Sequence, residues 1–360
     1  IAGLKVSRLV NEPTAAAMYY AHSQGVSGRI LVYDLGGGTL DITILETKGE
    51  GINILTSEGA RHLGGTNIDD MLLAMYTEQY REAAGAELFE DETARLRVLD
   101  SVEDAKKMLS KLQKVTDTIG NHTNGIARIE LSREVFEEAV SRLLMRTVML
   151  VEQALESAGL KEGEIDHVVL VGGSTRIPRV QEMLKKKFGF APKSCGNVDE
   201  CVALGAALFA KHQRRVNEVC NHGYGTVAIL EDARTGEEKI QNSIVIPKNT
   251  PIPCSMTQFY QTSEDGEELI EVEVTQGEDH DPKFIDVIGK LSLRVPPGRK
   301  AGCKVAVTYS YDKDQRVRAV VRDEETGKEK EVAIDFRGRG VLSDRDIERT
   351  ASYLKGIHIA

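Results

Sequence analysis

The sequence predicts an α/β domain followed by an all-β sandwich. Up to about residue 212, short apolar segments alternate with longer segments whose apolar residues recur at helical spacing, and glycine clusters lie at several of the junctions. After Gln213 the helical spacing fades, and short alternating segments are separated by turn residues such as Pro296-Pro297-Gly298. These two observations place an α/β domain first and a β domain second.

A glycine-rich turn joins the first two predicted strands. Apolar residues lead into and out of Asp34-Leu35-Gly36-Gly37-Gly38-Thr39-Leu40-Asp41, which is typical of a strand, a tight turn and a strand. Because glycine has no side chain, the N–H groups of the turn can converge on phosphate oxygens. Asp34 and Asp41 would repel a phosphate unless Mg²⁺ lay between them, held partly through water. The alternative is a hairpin that needs glycine only for its backbone conformation.

The remaining elements of the first part follow from apolar spacing and capping residues. An antiparallel meander is predicted over 29–33, 40–46 and 52–57, and further strands over 126–131 and 167–171. Helices are predicted over 14–21, 67–84 with Thr66 as N-cap, 91–112 as one or two helices, 133–158 with Ser132 as N-cap, 178–187, and 200–211 with Asp199 as N-cap.

Three further motifs accompany the glycine turn. Val171-Gly172-Gly173-Ser174-Thr175-Arg176-Ile177-Pro178 joins a strand to a helix, where a glycine pair lets a ligand approach the backbone. The others are His62-Leu63-Gly64-Gly65-Thr66-Asn67-Ile68-Asp69 and Asn11-Glu12-Pro13-Thr14-Ala15-Ala16-Ala17. Together, the four stretches resemble the actin-like ATPase fold and, within it, the seventy-kilodalton heat-shock protein family, the DnaK-type chaperones.

The resemblance implies a site for ATP or ADP with Mg²⁺. It assigns catalytic roles to Glu12, Asp34, Thr39 and Asp41, with Asp34 and Asp41 nearest the metal. Transfer of a phosphoryl group to water needs phosphates held in line, a divalent cation and an oriented water. The residues that it places against the nucleotide are Gly36, Gly37, Gly38, Gly64, Gly65, Glu103, Lys106, Lys107, Ser110, Gly172, Gly173, Ser174, Arg176, Ile177 and Asp199.

One face of a predicted helix carries four of these residues. Glu103, Lys106, Lys107 and Ser110 fall at i, i+3, i+4 and i+7. In the family this face holds the adenosine, whereas the alternative is a solvated stripe of salt bridges. Lys107 stands where many members carry arginine, and a lysine keeps the charge but stacks less well on adenine.

The last third resembles the family's peptide-binding domain. Asn249-Thr250-Pro251-Ile252-Pro253 and Gln276-Gly277-Glu278 look like its landmarks. The resemblance implies that an extended client peptide lies in a channel, with one apolar pocket lined by Tyr260, Ile270 and Val272. The alternative is that alternating apolar residues belong to the sandwich core. Strands are predicted over 240–246, 255–262, 269–276, 290–295, 304–311, 316–321 and 331–336.

The same resemblance implies a domain plan. It gives a partial ATPase domain over 1–212, mainly its second lobe, a linker over 213–226, a β-sandwich over 227–340 and the start of a helical lid over 341–360. The family's first phosphate-binding hairpin and its catalytic lysine would precede residue 1. We therefore expect an ATPase in the intact polypeptide and little activity in this chain alone. The linker lacks the family's acidic, leucine-rich run, which leaves open whether nucleotide state controls peptide affinity.

Composition restricts the partners and the compartment. A net charge of −10 argues against broad binding of nucleic acid or acidic membranes. Five cysteines without a CxxC pair indicate neither a zinc site nor a disulfide framework, and favour a reducing, cytoplasmic location. The resemblance implies unfolded or extended client peptides, a J-domain co-chaperone and a nucleotide-exchange factor as partners.

Three functions are compatible with these features. The first is an ATP-dependent chaperone, and the second is a nucleotide-sensing scaffold of the same fold with weak chaperone coupling. The third is a sugar or acid kinase of the actin-like fold. It ranks lowest, because such a kinase has no reason to carry the β domain.

Overall fold

The computed structural model describes residues 9–49, 51–89, 91–121, 125–212, 216–231, 236–313, 316–334 and 348–350. Within these ranges the chain divides into two compact units. The α/β unit covers residues 10–216, and the β unit contains Leu9 and the described residues from Asn217 onwards, so the division falls within the short strand Val216–Asn217. The predicted lid, 341–360, lies outside the described residues apart from 348–350, which are helical. The limits of the linker stay predictions, since residues 213–215 also lie outside the described residues.

The described α-helices and strands of the α/β unit are α1 (Glu12–Gln24), β1 (Gly28–Leu35), β2 (Thr39–Lys48), β3 (Gly51–Arg61), α2 (Gly65–Ala84), α3 (Glu92–Leu109), β4 (Lys114–Asn121), β5 (Gly125–Ser132), α4 (Arg133–Ser157), β6 (His167–Val171), α5 (Pro178–Phe188), β7 (Lys193–Ser194), α6 (Cys201–His212) and β8 (Val216–Asn217). They form a six-stranded sheet in the order β7-β6-β1-β2-β3-β8, and β4 and β5 form a separate antiparallel pair.

The centre of this sheet fixes the position of the predicted site. Strands β1, β2 and β3 form the antiparallel meander that the sequence predicts. Strand β6 lies parallel to β1, with Asp34 paired to Val171. The carboxyl ends of β1 and β6 therefore lie side by side, and the glycine segments that follow them leave the sheet at the same edge.

Helices α1 and α6 pack in unusually close contact. A Cβ atom added at Gly205 would lie 1.8 Å from the carbonyl oxygen of Ala15, so that only glycine fits. The buried alanines Ala15, Ala16 and Ala17 present little side-chain bulk at the start of α1. This contact holds α1, and with it Glu12 at its first position, against the rest of the unit.

Two predicted caps are wrong. Helix α2 begins at Gly65 with Gly64 as N-cap, and the Thr66 hydroxyl instead donates to the Gly37 carbonyl oxygen. Helix α6 begins at Cys201, so Asp199 stands one residue too early, and its carboxylate accepts a hydrogen bond from Arg176. The predicted cap of α4 is confirmed, because the Ser132 hydroxyl accepts from the amide of Val135.

The described strands of the β unit are β9 (Tyr224–Glu231), β10 (Glu238–Ile246), β11 (Cys254–Gln261), β12 (Leu269–Gln276), β13 (Asp286–Arg294), β14 (Lys304–Tyr311), β15 (Val317–Asp323) and β16 (Glu329–Ile334). They form two four-stranded antiparallel sheets, in the orders β10-β9-β12-β13 and β11-β14-β15-β16. Both sheets contribute to one buried apolar cluster, for example Val272 and Leu291 from the first and Val307 and Tyr309 from the second.

No helix in the described part of the chain combines the length and the apolar character needed to cross a bilayer.

Candidate functional site

Three glycine turns meet at the edge of the sheet where β1 and β6 end. The amide of Gly65 donates to the Gly36 carbonyl oxygen at 3.0 Å, and the amide of Thr66 donates to the Gly37 carbonyl oxygen at 2.7 Å. The Ser174 hydroxyl also donates to the Gly36 carbonyl oxygen, at 3.0 Å. We call the assembly of 36–38, 64–65 and 172–173 the glycine cradle. Sequence reasoning singled out each turn, and the structure brings them together.

Close backbone contacts explain two of the glycines. A Cβ atom at Gly64 would lie 2.6 Å from the Gly37 carbonyl oxygen, and one at Gly172 would lie 2.4 Å from the Leu35 carbonyl oxygen. Gly172 also has a φ of 83°, a conformation that favours glycine. Any side chain at these two positions would push the turns of the cradle apart.

Gly37 and Gly38 differ, because they face solvent. A Cβ atom added at either would have nothing within 4 Å. Among the described residues, no main-chain or side-chain acceptor takes a hydrogen bond from either amide. The amide of Gly36, by contrast, donates to the Thr39 carbonyl oxygen at 3.1 Å and closes the turn. Two exposed amides next to each other are suited to an anionic oxygen.

Acidic side chains lie directly beside the cradle. Asp34 and Asp41 are paired opposite each other across β1 and β2. Burial and, to a smaller extent, the nearby charges of Asp41 and Glu12 together raise the pKa of Asp34 to about 7. The carboxylates of three separate segments thus repel one another, and a bound cation would relieve that repulsion.

The donor set fits Mg²⁺ bound mainly through water. Across the described ranges, no group of three or more histidine, cysteine or acidic side chains is arranged to hold a metal directly. Magnesium usually keeps several waters and takes one or two protein carboxylates. Asp34 and Asp41 can supply those carboxylates. Thr39, the exposed first residue of β2, lies at the end of the same turn.

The predicted adenosine face of α3 divides into two parts. Lys106 is buried, with its ammonium 2.8 Å from a carboxylate oxygen of Asp69 and 3.3 Å from the Gly65 carbonyl oxygen. Glu103 and Lys107 form an exposed ion pair at 3.0 Å, as the salt-bridge alternative predicts. Ser110 is the C-cap of α3. Lys106 therefore reaches the cradle, whereas Glu103 and Lys107 lie on the solvent side.

Sequence reasoning missed Asp69. The residue stands in the quoted motif from His62 to Asp69, but nothing in its spacing links it to Lys106, which lies 37 residues further along the chain. A buried position within an apolar helix pattern was the available signal, since an acidic residue is rarely buried without a partner.

The remaining predicted nucleotide contacts, Arg176, Ile177 and Asp199, differ in their exposure to solvent. Arg176 and Asp199 form an exposed ion pair at 2.8 Å. Ile177 is the N-cap residue of α5, and its side chain is buried in the core cluster of the α/β unit. The structure therefore does not bring the Ile177 side chain to the exposed amides of the cradle.

The predicted peptide pocket has the character of a core. Ile270 and Val272, on β12, are each only 6% exposed and belong to the buried cluster of the β unit. Tyr260, on β11, is half-buried and packs against the same cluster, and its hydroxyl donates to the Ser243 hydroxyl at 2.8 Å. This placement is the one that the core alternative predicts.

Comparison with known families agrees with the four motifs. The model of the family described as Hsp70 protein matches residues 1–355 of the 360. Hsp70 proteins are chaperones with an actin-like ATPase fold of mixed α/β content, and they bind nucleotide, client peptides and co-chaperones. A match over nearly the whole chain favours this family over the sugar and acid kinases. The chain belongs to the Hsp70 family.

Proposed function

We propose that this chain belongs to an ATP-dependent chaperone. Its α/β unit binds a magnesium nucleotide at the glycine cradle, and its β unit binds extended apolar segments of unfolded proteins. The observation that carries the proposal is the convergence of three glycine turns, with Gly36 and Ser174 in contact although they lie 138 residues apart in sequence. The convergence of these turns beside two opposed carboxylates indicates that they share one site.

Each part of the cradle has a role in this proposal. The amides of Gly37 and Gly38 donate to phosphate oxygens, and they need no rearrangement because nothing else in the described chain accepts from them. The Thr39 hydroxyl contacts the terminal phosphate. Glu12 orients the attacking water from the start of α1. Asp34 and Asp41 would hold magnesium, and the bound ion would supply positive charge to balance that of the phosphates.

The β unit supplies the client site. We propose that its two sheets form the β-sandwich over 227–340, and that Tyr260, Ile270 and Val272 line the pocket. Because Ile270 and Val272 are buried, a client side chain reaches them only after the neighbouring strands separate. Such opening is where ATP control of peptide affinity would act. A J-domain co-chaperone and a nucleotide-exchange factor would act on the same cycle.

A fluorescent-peptide dissociation experiment tests this function. In the intact polypeptide, we expect ATP to release an extended apolar peptide at least tenfold faster than ADP, with phosphate release showing slow hydrolysis. Asp34→Asn, which removes one proposed carboxylate, is the control in which the two nucleotides should act alike. Equal release rates with ATP and ADP in the wild type would contradict ATP-controlled peptide binding.

A second candidate is a nucleotide-sensing scaffold with weak chaperone coupling. The burial of Ile270 and Val272 favours it, because a pocket filled by its own core has little room for a client. The absence of a leucine-rich run in the predicted linker favours it as well. Under this candidate, calorimetry detects nucleotide binding while the peptide dissociation rate stays unchanged by either nucleotide.

A further inference from the structure

Asp69 and Lys106 form a buried ion pair beside the glycine cradle. The Lys106 ammonium lies 2.7 Å from Oδ1 and 2.8 Å from Oδ2 of the Asp69 carboxylate. Only 11% of each side chain is exposed. The desolvation of two charges commonly costs as much as their attraction returns, so a buried pair is poorly explained by stability alone.

The pair touches the turn that closes the cradle. The Lys106 ammonium donates to the Gly65 carbonyl oxygen at 3.3 Å, and the amide of Gly65 donates to the Gly36 carbonyl oxygen. A Cβ atom at Gly65 would lie 3.2 Å from the ammonium and 2.8 Å from the Ser174 hydroxyl. The positive charge is thus fixed at the junction of all three glycine turns.

The neighbouring lysine provides an internal comparison. Lys107 is 60% exposed and pairs with Glu103 and Asp104 in solvent, where an ion pair contributes little. Lys106 differs in having a buried carboxylate that restricts its ammonium to one position. Burial raises the pKa of Asp69, and the hydrogen bond and charge of Lys106 offset only part of that rise.

We propose that Asp69 is a positioning residue for nucleotide binding, which holds the Lys106 ammonium against the Gly64-Gly65 turn. A lysine ammonium has three N–H donors. In the described structure, one donates to Oδ2 of Asp69 and one donates to the Gly65 carbonyl oxygen. The remaining donor serves a nucleotide oxygen. The inference rests on the proposed function and adds to it the residue that orients the α3 lysine.

A double-mutant cycle tests the inference. Calorimetry with Mg-ADP is performed on the full chain as wild type, Asp69→Asn, Lys106→Gln and the double variant. We expect each single variant to raise the Kd about tenfold or more, and the double variant to bind no more weakly than either, because Asp69 acts only through Lys106. Asp70→Asn is the matched control, since Asp70 is the exposed neighbour on α2 and should leave the Kd unchanged.

The outcomes separate the inference from the function on which it rests. A folded Asp69→Asn protein with a lower melting temperature but a wild-type Kd would mean that Asp69 has a purely structural role. Additive losses of affinity in the cycle would mean that Asp69 and Lys106 act independently. Either result overturns the inference but leaves the proposed function standing. Wild type and Asp70→Asn without any nucleotide binding would overturn the proposed function too. If Asp69→Asn does not fold, Asp69→Glu keeps the charge but displaces it, and should still weaken binding.

Discussion

The glycine cradle depends on main-chain atoms, whereas the predicted peptide pocket depends on side chains. The cradle is built from main-chain atoms, and at Gly64 and Gly172 a single added carbon would collide with a carbonyl oxygen. The pocket is built from side chains, and Ile270 and Val272 are as buried as the core around them. Glycine at a crowded turn is a demanding requirement, whereas an apolar residue on alternate positions of a strand satisfies a core and a pocket equally well.

The largest expected effect is that of Gly172→Ala. An alanine at this position would have to adopt a left-handed backbone conformation that disfavours any side chain. Its Cβ atom would also lie 2.4 Å from the Leu35 carbonyl oxygen. We expect the α/β unit to lose about 3 kcal/mol or more of unfolding free energy, and calorimetry to detect no nucleotide.

The matched control is Gly163→Ala, because a Cβ atom there meets nothing within 4 Å. It should change the unfolding free energy by less than about 0.5 kcal/mol. A Gly172→Ala protein that still bound Mg-ADP with wild-type affinity would break the comparison, since the cradle would then tolerate a side chain.

Ile270→Ala tests the other side of the comparison. Truncating a buried isoleucine removes apolar burial and leaves a cavity, so urea unfolding of the β unit should lose about 3 kcal/mol. Ile240→Ala is the control, because Ile240 is 65% exposed and its truncation should cost under about 0.5 kcal/mol. A small loss of stability together with a large loss of peptide affinity would identify Ile270 as a pocket residue and contradict its assignment to the core.

Most of the regular structure was accessible from the sequence. Apolar spacing and turn residues predicted the β1–β3 meander, and β12 and β14 have the predicted bounds. Strand β4 was missed, because its central Thr and Asp residues interrupt the apolar alternation. Its Val115 and Ile119 are nevertheless buried in the core of the α/β unit. Strand β9 was missed because its first residues fall in the segment that family resemblance assigned to the linker.

The candidate site was only partly accessible. Each glycine turn can be read locally, because close approach and backbone conformation depend on neighbouring residues. Neighbouring residues do not predict the ion pair of Asp69 with Lys106 or the core position of Ile177, because both depend on which helices pack together. The two wrong caps have a related cause, since tertiary partners occupy the side chains of Thr66 and Asp199.

A smaller effect concerns pH at the cradle. Burial, Asp41 and Glu12 raise the pKa of Asp34 to about 7, and the ionised carboxylate is the form that attracts a magnesium nucleotide. Affinity for Mg-ADP should therefore rise about tenfold between pH 6 and pH 8, as the ionised fraction rises. Calorimetry across this range checks the slope, and Asp34→Asn should remove it.

Stability of the nucleotide-free protein should change in the opposite direction. The folded pKa of Asp34 lies above its ordinary value of 3.8, so the folded state binds this proton more tightly than the unfolded state does. Its contribution to stability is therefore lost as pH rises from about 4 to about 7. At neutral pH, Asp34→Asn should raise the melting temperature without nucleotide while weakening Mg-ADP binding. A variant that lowers both would show that Asp34 has another stabilising partner.

The smallest expected effect is that of Tyr260→Phe, which removes one hydroxyl and little else. That hydroxyl donates from β11 to Ser243 on β10 and so links the two sheets of the β unit. An intramolecular hydrogen bond contributes about 1 kcal/mol, and urea unfolding should show a loss of that size in the wild-type background and almost none in Ser243→Ala. If Tyr260 lines a pocket that opens between the sheets, breaking this link should also speed peptide exchange. If Tyr260 belongs to a closed core, stability falls while the exchange rate stays the same, and the β unit then differs from the cradle in having no surface prepared for its ligand.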